Sequence, residues 1–294
     1  MAEVRIDPLS GQRVFVATEG VPQVPTGGSG GSGGSDGALV APSFHPILDR
    51  AAQPPEPTAY PDLFWAGPAT GTHELLDVGE PVSSLGELSP ERVAEVVEGW
   101  RARMRAHGDA ACLHLFSDER PGTRASAQLL ALEFVPALIA RERERFRGYA
   151  TRTMGGNLLA DLLQQEVRLR ERLVAVDAEA VLLCAYASRV PYQLMIVPRT
   201  PRMRFEDEGP TGAAMLSDAL RRLGSVFGAI PPLSLWIRTA PRGSEHFCWR
   251  IDVLPHLPGA LADGGLESGA GLAFNPVSPE AAAAALREAE WSRP

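Results

Sequence analysis

The fold is decided by two short stretches, Arg124-Ala-Ser-Ala-Gln128 and Cys248-Trp-Arg-Ile-Asp252. Each alternates polar or chargeable side chains with apolar ones, and alternate side chains of a strand share one face. Both stretches therefore predict strands with one buried face and one polar face. The residues on the polar faces are Arg124, Ser126 and Gln128 in the first strand and Cys248, Arg250 and Asp252 in the second.

The surrounding elements follow one order twice: strand, strand, helix, strand, loop, strand. In the first half, Ser89-Pro90 is typical of a helix start. In the second half, helical spacing covers residues 211–227 and strands are predicted at 233–238 and 248–255. A repeat at this scale indicates a duplication. We predict an α+β fold of two antiparallel sheets with helices packed on one face, divided into halves at 1–150 and 151–294.

The composition of two further segments indicates their structure. Residues 137–173 alternate acids with arginines and predict a helical bridge with a turn at Gly155-Gly156, whose charge run Arg141–Arg147 is interpreted as a solvated helix face. Residues 27–35, Gly-Gly-Ser-Gly-Gly-Ser-Gly-Gly-Ser, form a flexible linker by composition. Its regularity indicates an engineered replacement of a loop, and a natural low-complexity loop is the alternative.

The order of elements, together with several short motifs, resembles the galactose-1-phosphate uridylyltransferase family, a two-copy branch of the histidine-triad superfamily. The motifs are Asp7-Pro-Leu-Ser-Gly11, Gly71-Thr-His-Glu74, Ala187-Ser-Arg-Val-Pro-Tyr192, Ile196-Val-Pro-Arg199 and Phe274-Asn-Pro276. The resemblance implies a duplicated histidine-triad fold, a nucleotide or sugar-phosphate ligand, nucleotidyl transfer and a homodimer.

The catalytic histidines that the resemblance implies are replaced. The family attacks phosphorus from a His-Pro-His run that is followed, one residue later, by Gln, and here Gln128 is preceded by Arg124-Ala125-Ser126. Ser126 therefore stands at the attacking position. Cys248 and Arg250 stand where the family has a His-Trp-His pattern. A covalent nucleotidyl intermediate on histidine is accordingly not expected.

Three residues are candidates for catalysis: Ser126, Cys248 and Asp252. Ser126 is either a substitute nucleophile, which needs a base, or a small residue that fills space. Cys248 is either a reactive thiol beside Arg250 or a buried, inert cysteine. If the two polar strands face a common cleft, positions 126 and 250 line the same cavity.

Five residues are candidates for ligand binding. Arg124 and Arg250 either clamp an anion bidentately or form structural ion pairs with Asp252 or Glu133. Gln128 matches the glutamine of the family motif and is the ligand contact carried over from it. Glu245 and His246 either provide a general base or form a solvated loop pair.

Composition excludes several classes of function. The 294 residues carry a net charge of −8 and no lysine, which argues against a nucleic-acid partner, Schiff-base chemistry and a phosphate-binding loop lysine. The 3 cysteines are widely spaced, which favours a reduced, cytoplasmic protein. The histidines form no pair at metal-binding spacing, and no membrane segment is apparent, so we expect no metal, no cofactor and no membrane partner.

Three functions remain open from the sequence. In the first, the cleft binds a small anionic ligand (a nucleotide, a sugar phosphate or an acidic metabolite) without the covalent intermediate. In the second, the chain is a nucleotidyltransferase that transfers uridylyl groups by a changed mechanism. In the third, it is a non-catalytic scaffold or regulatory subunit.

Overall fold

A continuous antiparallel sheet of eight strands forms the centre of the computed structural model, which describes residues 2–17, 71–207, 211–257 and 269–289. The strands, in chain order, are β1 (Ala2–Ile6), β2 (Arg13–Ala17), β3 (Gly71–Asp77), β4 (Cys112–Glu119), β5 (Ser126–Leu132), β6 (Leu173–Val176), β7 (Ala180–Cys184), β8 (Leu194–Pro198), β9 (Leu233–Arg238), β10 (Arg250–Pro255) and β11 (Ala273–Asn275). The order across the large sheet is β3-β5-β4-β9-β10-β8-β7-β6.

The helices are α1 (Pro90–Ala106), α2 (Ala137–Arg152), α3 (Leu158–Leu169), α4 (Ala213–Phe227) and α5 (Pro279–Glu288), with a short 3-10 turn at Leu85–Glu87. Side chains of α1, α4 and α5 share one core with one face of the large sheet. Side chains of α2 and α3 pack in a second core with Val181, Leu183, Met195 and Val197 on the opposite face.

Local signals in the sequence account for the helix boundaries. Ser89 caps α1 by accepting a hydrogen bond from the amide of Arg92, and Pro90 is the first helical residue. Asn157 caps α3 through the amide of Ala160. Gly155, with φ of 103°, lies in the turn that separates α2 from α3, where a positive φ favours glycine.

The predicted α+β class is confirmed, with two sheets rich in antiparallel pairs. The prediction that each half of the chain forms its own sheet differs from the strands that each sheet contains. Strands β3–β5 and β6–β10 join in a single sheet because β4 pairs with β9, with Phe116 opposite Trp236. The second sheet is small, β1-β2-β11, and its β11 runs parallel to β2.

The helices also differ in part from the expectation. Three pack on one face as predicted, whereas α2 and α3 cover the other face because β7 and β8 are apolar on both sides. The division into halves at residue 150 stays a prediction; that residue lies within α2. The Gly/Ser stretch at 27–35 lies outside the described residues.

Candidate functional site

Four charged side chains form a buried cluster on the face of the sheet that α2 covers. They are Glu142, Arg238, Arg250 and Asp252, with exposed fractions of 2%, 6%, 5% and 3%. Arg250 donates from Nη1 and Nη2 to the carboxylate of Glu142 at 3.2 Å and from Nε to Asp252 Oδ2 at 3.0 Å. Arg238 Nε lies 3.3 Å from Glu142 Oε2. Two guanidinium groups and two carboxylates are thus buried together.

Strand register explains why these residues meet. Arg250 lies directly opposite Arg238, and Asp252 lies opposite Trp236. The intervening residues Ile251 and Val253 belong to the core on the other face, so the charged side chains point toward α2. Glu142 extends from α2 to these side chains. The prediction of a solvated helix face at Arg141–Arg147 is therefore wrong at Glu142, which is buried and pairs with Arg238 and Arg250.

Electrostatic coupling sets the protonation of the cluster. Burial alone raises the pKa of the Glu142 carboxyl, but Arg250 and Arg238 outweigh it and hold the pKa below its usual value. Burial alone lowers the pKa of Arg250, but Asp252 and Glu142 raise it above its usual value. Burial raises the pKa of Asp252 despite the opposing charges of Arg250 and Arg238. Glu142 is therefore the firmly ionised acid of the cluster.

A cavity of about 60 Å³ adjoins the cluster. Its walls include Arg238, Arg250 and Asp252 from the sheet and Asp7, Ser10 and Gln12 from the turn between β1 and β2. The turn is built from its own sequence: Asp7 accepts hydrogen bonds from the amides of Leu9 and Ser10 at 3.0 Å and from the Ser10 hydroxyl. Arg145 of α2 donates to the Pro8 carbonyl at 2.8 Å, which fixes the turn over the cavity.

Arg238 lines the cavity and carries a buried nitrogen without a hydrogen bond. Its buried Nε–H has no hydrogen-bond partner among the described residues, although Glu142 lies near. The carboxylates around it are engaged elsewhere: Glu142 accepts from Arg250, and Asp252 accepts from Arg250 and from Trp236 Nε1 at 2.9 Å. A buried donor without an acceptor is costly.

The structure does not bring Ser126 and Gln128 to this cavity. Both lie on the same face of the sheet as Arg250, because Ala125, Ala127 and Leu129 belong to the opposite core. However, β4 and β9 separate β5 from β10, and the register places Ser126 in the row of Leu254, so Ser126 lies roughly 20 Å from Arg250. Gln128 Oε1 lies 3.0 Å from Nε2 of His73.

The predicted arginine candidates have different surroundings. Arg124 is exposed and forms an ion pair with Asp77 at 3.0 Å, not with Glu133. Arg250 forms its ion pairs with Asp252, as one of the two alternatives proposed, and with Glu142, which the sequence interpretation did not include. Of these two arginines, Arg250 lines the cavity.

Cys248 is fully buried and precedes Arg250 by two positions in the chain. Burial raises the pKa of its thiol to about 11, with Arg250 opposing the shift only in part. The side chain packs in the core beneath α2 and α3, and its Sγ donates weakly to the Trp249 carbonyl at 3.6 Å. A thiol with this pKa is protonated near neutral pH, which favours the inert alternative.

Glu245 and His246 lie on an exposed loop before β10. His246 adopts a left-handed conformation with φ of 62°, and its carbonyl accepts a hydrogen bond from Asn157 Nδ2 at 2.9 Å. The cap of α3 thus holds the loop in place. Neither side chain lines the cavity beside Arg250.

Sequence reasoning missed Glu142, Arg238 and Trp236. Arg238 and Trp236 are on a predicted strand, and their period-2 spacing was available as a signal for a shared polar face. His114, on the neighbouring strand β4, was also missed: burial and the charge of Arg238 lower the pKa of its imidazole to about 4. Its Nδ1 is buried without a hydrogen-bond partner among the described residues.

Among the residues that the structure describes, no group of three or more His, Cys, Asp or Glu side chains is arranged to hold a metal ion. In the same part of the chain, no helix has the length and apolar character needed to cross a membrane.

Comparisons with known proteins place the fold. No family model matches the chain. ADP-glucose phosphorylase from Arabidopsis thaliana is 23% identical over 241 residues, which cover 74% of this chain and 64% of that protein. Galactose-1-phosphate uridylyltransferase from Haemophilus influenzae is 23% identical over 209 residues, covering 67% of this chain and 59% of the enzyme. Each alignment thus spans less than two thirds of the relative's own length.

Solved structures superpose on nearly the whole chain. The crystal structure of ADP-glucose phosphorylase from Arabidopsis thaliana with bound ADP-glucose superposes with a TM-score of 0.72 at 18% identity, covering 99% of this chain and 100% of that one. A uridylyltransferase structure superposes with a TM-score of 0.72 at 21% identity and 98% coverage of both chains. The chain therefore has the fold of these uridylyltransferase and ADP-glucose phosphorylase structures, and it is similar to the named relatives at low sequence identity.

Proposed function

We propose that the chain binds a small anionic ligand in the cavity beside Arg238, and that it does so without forming a covalent intermediate on histidine. The observation that carries this proposal is that three arginines, Arg189, Arg238 and Arg250, line one cavity beneath the Asp7–Gln12 turn. A guanidinium group suits a carboxylate or phosphate acceptor because it can donate two parallel hydrogen bonds.

The likeness to known proteins supports the ligand class. The structural neighbour with bound ADP-glucose carries an anionic ligand on a fold of this kind. Nucleotides, sugar phosphates and acidic metabolites all present the required acceptor. The cavity walls also include Arg250 and Asp252, two of the predicted site residues.

The remaining predicted residues receive no ligand contact in this proposal. Ser126, Gln128, Arg124, Cys248, Glu245 and His246 are absent from the walls of the cavity. Their catalytic or binding roles stay predictions. A homodimer and a cytoplasmic location, expected from the resemblance and from the cysteine usage, are retained as parts of the proposal.

Thermal unfolding with a panel of anions tests the proposal. ADP-glucose, UDP-glucose, glucose 1-phosphate, inorganic phosphate and butyrate are each added in excess, and a ligand that binds only the folded protein raises Tm. We expect at least one anion to raise Tm of the wild type and of R92Q, and to leave Tm of R238Q unchanged. Arg92 is a suitable control because it lies on α1, on the other face of the sheet. The absence of any shift in the wild type overturns the proposal.

Nucleotidyl transfer by a changed mechanism is the second candidate, since the relatives are named a phosphorylase and uridylyltransferases. Intact-mass measurement after incubation with UDP-glucose or ADP-glucose tests it. A covalent nucleotidyl adduct supports this candidate and contradicts the non-covalent proposal.

A further inference from the structure

The formal charges of the four buried side chains beside the cavity cancel. Two guanidinium groups, those of Arg238 and Arg250, face two carboxylates, those of Glu142 and Asp252, and each of the four residues is at most 6% exposed. An anion that binds next to the arginines gives this buried group a net negative charge, which is unfavourable in a weakly polarisable interior. A proton taken up by one of the two carboxylates restores neutrality.

We propose that anion binding in the cavity beside Arg238 is coupled to the uptake of one proton by Asp252, so that the site binds anions more tightly as pH falls. This inference rests on the proposed function and describes the regulation of the same site. The proton comes from the solvent and forms an O–H bond on the carboxylate, and no other bond changes.

The contacts of the two carboxylates select Asp252 as the proton acceptor. Glu142 accepts from both terminal nitrogens of Arg250 at 3.2 Å and lies 3.3 Å from Nε of Arg238, so it faces two positive charges. Asp252 forms an ion pair with Arg250, whose Nε lies 3.0 Å from Oδ2 and 3.3 Å from Oδ1, and its other donor, Trp236 Nε1, is neutral. Protonation of Asp252 therefore sacrifices less favourable electrostatic energy than protonation of Glu142.

The pKa values of the two acids differ in the same sense. Burial raises the pKa of Asp252, whereas Arg250 and Arg238 hold the pKa of Glu142 below its usual value although burial opposes them. An anion beside the arginines raises the pKa of Asp252 further, and by linkage the protonated site binds the anion more tightly by the same factor.

The other charged groups that face Asp252 come from the elements around the cavity. The turn between β1 and β2 contributes Asp7, whose carboxylate accepts hydrogen bonds from amides of the turn, and the loop between β7 and β8 contributes Arg189. On β8, the residue opposite Asp252 is the uncharged Met195. His114 on β4, which interacts with Arg238, has its pKa lowered to about 4 and stays neutral between pH 6 and pH 8.

The experiment is isothermal titration calorimetry of the wild type with the five anions of the thermal-unfolding panel at pH 6, 7 and 8. ADP-glucose, UDP-glucose and butyrate keep a constant charge in this range, whereas a phosphate monoester titrates near pH 6. We expect the affinity for the first three to fall with rising pH by up to about tenfold per pH unit, the limit for one proton. Titrations in two buffers of different ionisation enthalpy count the protons taken up, and we expect up to one per anion.

A matched variant assigns the proton to Asp252. D252N is neutral at every pH and keeps an oxygen acceptor for Trp236, so we expect it to bind anions at pH 8 about as tightly as the wild type does at pH 6. Its affinity is then independent of pH, apart from the titration of the phosphate ligands themselves. The control is E95Q, which removes an exposed carboxylate of α1 on the other face of the sheet and keeps the pH dependence of the wild type.

The outcomes separate this inference from the proposed function. If no anion of the panel binds even at pH 6, the anion site and the proton coupling are both overturned. If an anion binds the wild type with equal affinity at pH 6 and pH 8 and without proton uptake, the site stands and the coupling is overturned, whether or not D252N folds. If folded D252N keeps the pH dependence of the wild type, the assignment to Asp252 is wrong.

Discussion

Glu142 and Arg250, 108 positions apart in the chain, form a buried ion pair in which both terminal nitrogens of the guanidinium lie 3.2 Å from carboxylate oxygens. Arg250 stands where the resemblance places a histidine, and α2 supplies its counter-charge. The pair joins the helical bridge to the centre of the sheet. Its partners Arg238 and Asp252 extend it into a cluster that lines the proposed ligand cavity.

Removing the charge of Glu142 is expected to destabilise the fold strongly. E142Q leaves Arg238 and Arg250 with one buried carboxylate, that of Asp252, and breaking a buried ion pair costs about 3 kcal/mol or more in the free energy of unfolding. Denaturation by urea measures the change. The control is E144Q on the same helix, where the exposed pair with Arg147 contributes about 1 kcal/mol or less. Equal effects of the two substitutions contradict the account of the cluster.

Glu119 makes stability depend on pH in an unusual direction. This residue ends β4, is 1% exposed, and accepts hydrogen bonds from the Ser84 hydroxyl and the Leu85 amide. Burial raises the pKa of its carboxyl to about 7 from an ordinary 4.5. Between these values the folded protein holds a proton that the unfolded chain releases, so stability falls as pH rises from 4.5 through 7.

The contribution of Glu119 is up to about 3 kcal/mol over this window. The test compares the free energy of unfolding at pH 5 and pH 8 for the wild type, E119Q and the control E133Q, which changes an exposed glutamate. His114, with its pKa lowered to about 4, contributes with the opposite sign below pH 6.5, so the difference between variants isolates Glu119. We expect the decline to be smaller in E119Q than in E133Q; burial also raises the pKa of Glu166, Glu206 and Asp252, which contribute in the same direction. An identical pH profile in E119Q and the wild type refutes the assignment.

The cysteines are expected to resist modification in the folded protein. Cys112, Cys184 and Cys248 are all buried, and burial raises the pKa of Cys112 and of Cys248 to about 11. Treatment with a thiol reagent at pH 7.5 is therefore expected to label none of the three under native conditions and all of them in denaturant, as counted by intact mass. Rapid native labelling of Cys248 revives its interpretation as a reactive thiol.

Local signals predicted much of the fold. Ser89 and Pro90 identify the start of α1, and Leu233–Arg238 was predicted at the bounds that the structure gives. The period of two also predicted that Ser126 and Gln128 share one face of their strand and that Arg250 and Asp252 share one face of theirs, because the pleat of a strand fixes this locally. The order of elements predicted from the pattern in turn carried the resemblance to the galactose-1-phosphate uridylyltransferase family.

The sequence around Ser126 and Arg250 does not determine how far apart these two residues lie across the sheet. Ser126 and Arg250 are separated because β4 and β9 pair between them, and this pairing joins segments that are distant in the chain. Glu142 was assigned to solvent because its neighbours alternate in charge, and only the arginines of β9 and β10 make its burial possible. Long-range partners, and not helix periodicity, determine that Glu142 is buried.

The most direct test of the central claim is a crystal structure of the protein soaked with glucose 1-phosphate or with ADP-glucose. We predict density for a phosphate group within about 3 Å of the Arg238 guanidinium, beneath the Asp7–Gln12 turn. Density beside Ser126 and Gln128, with the cavity at Arg238 unchanged, contradicts the claim.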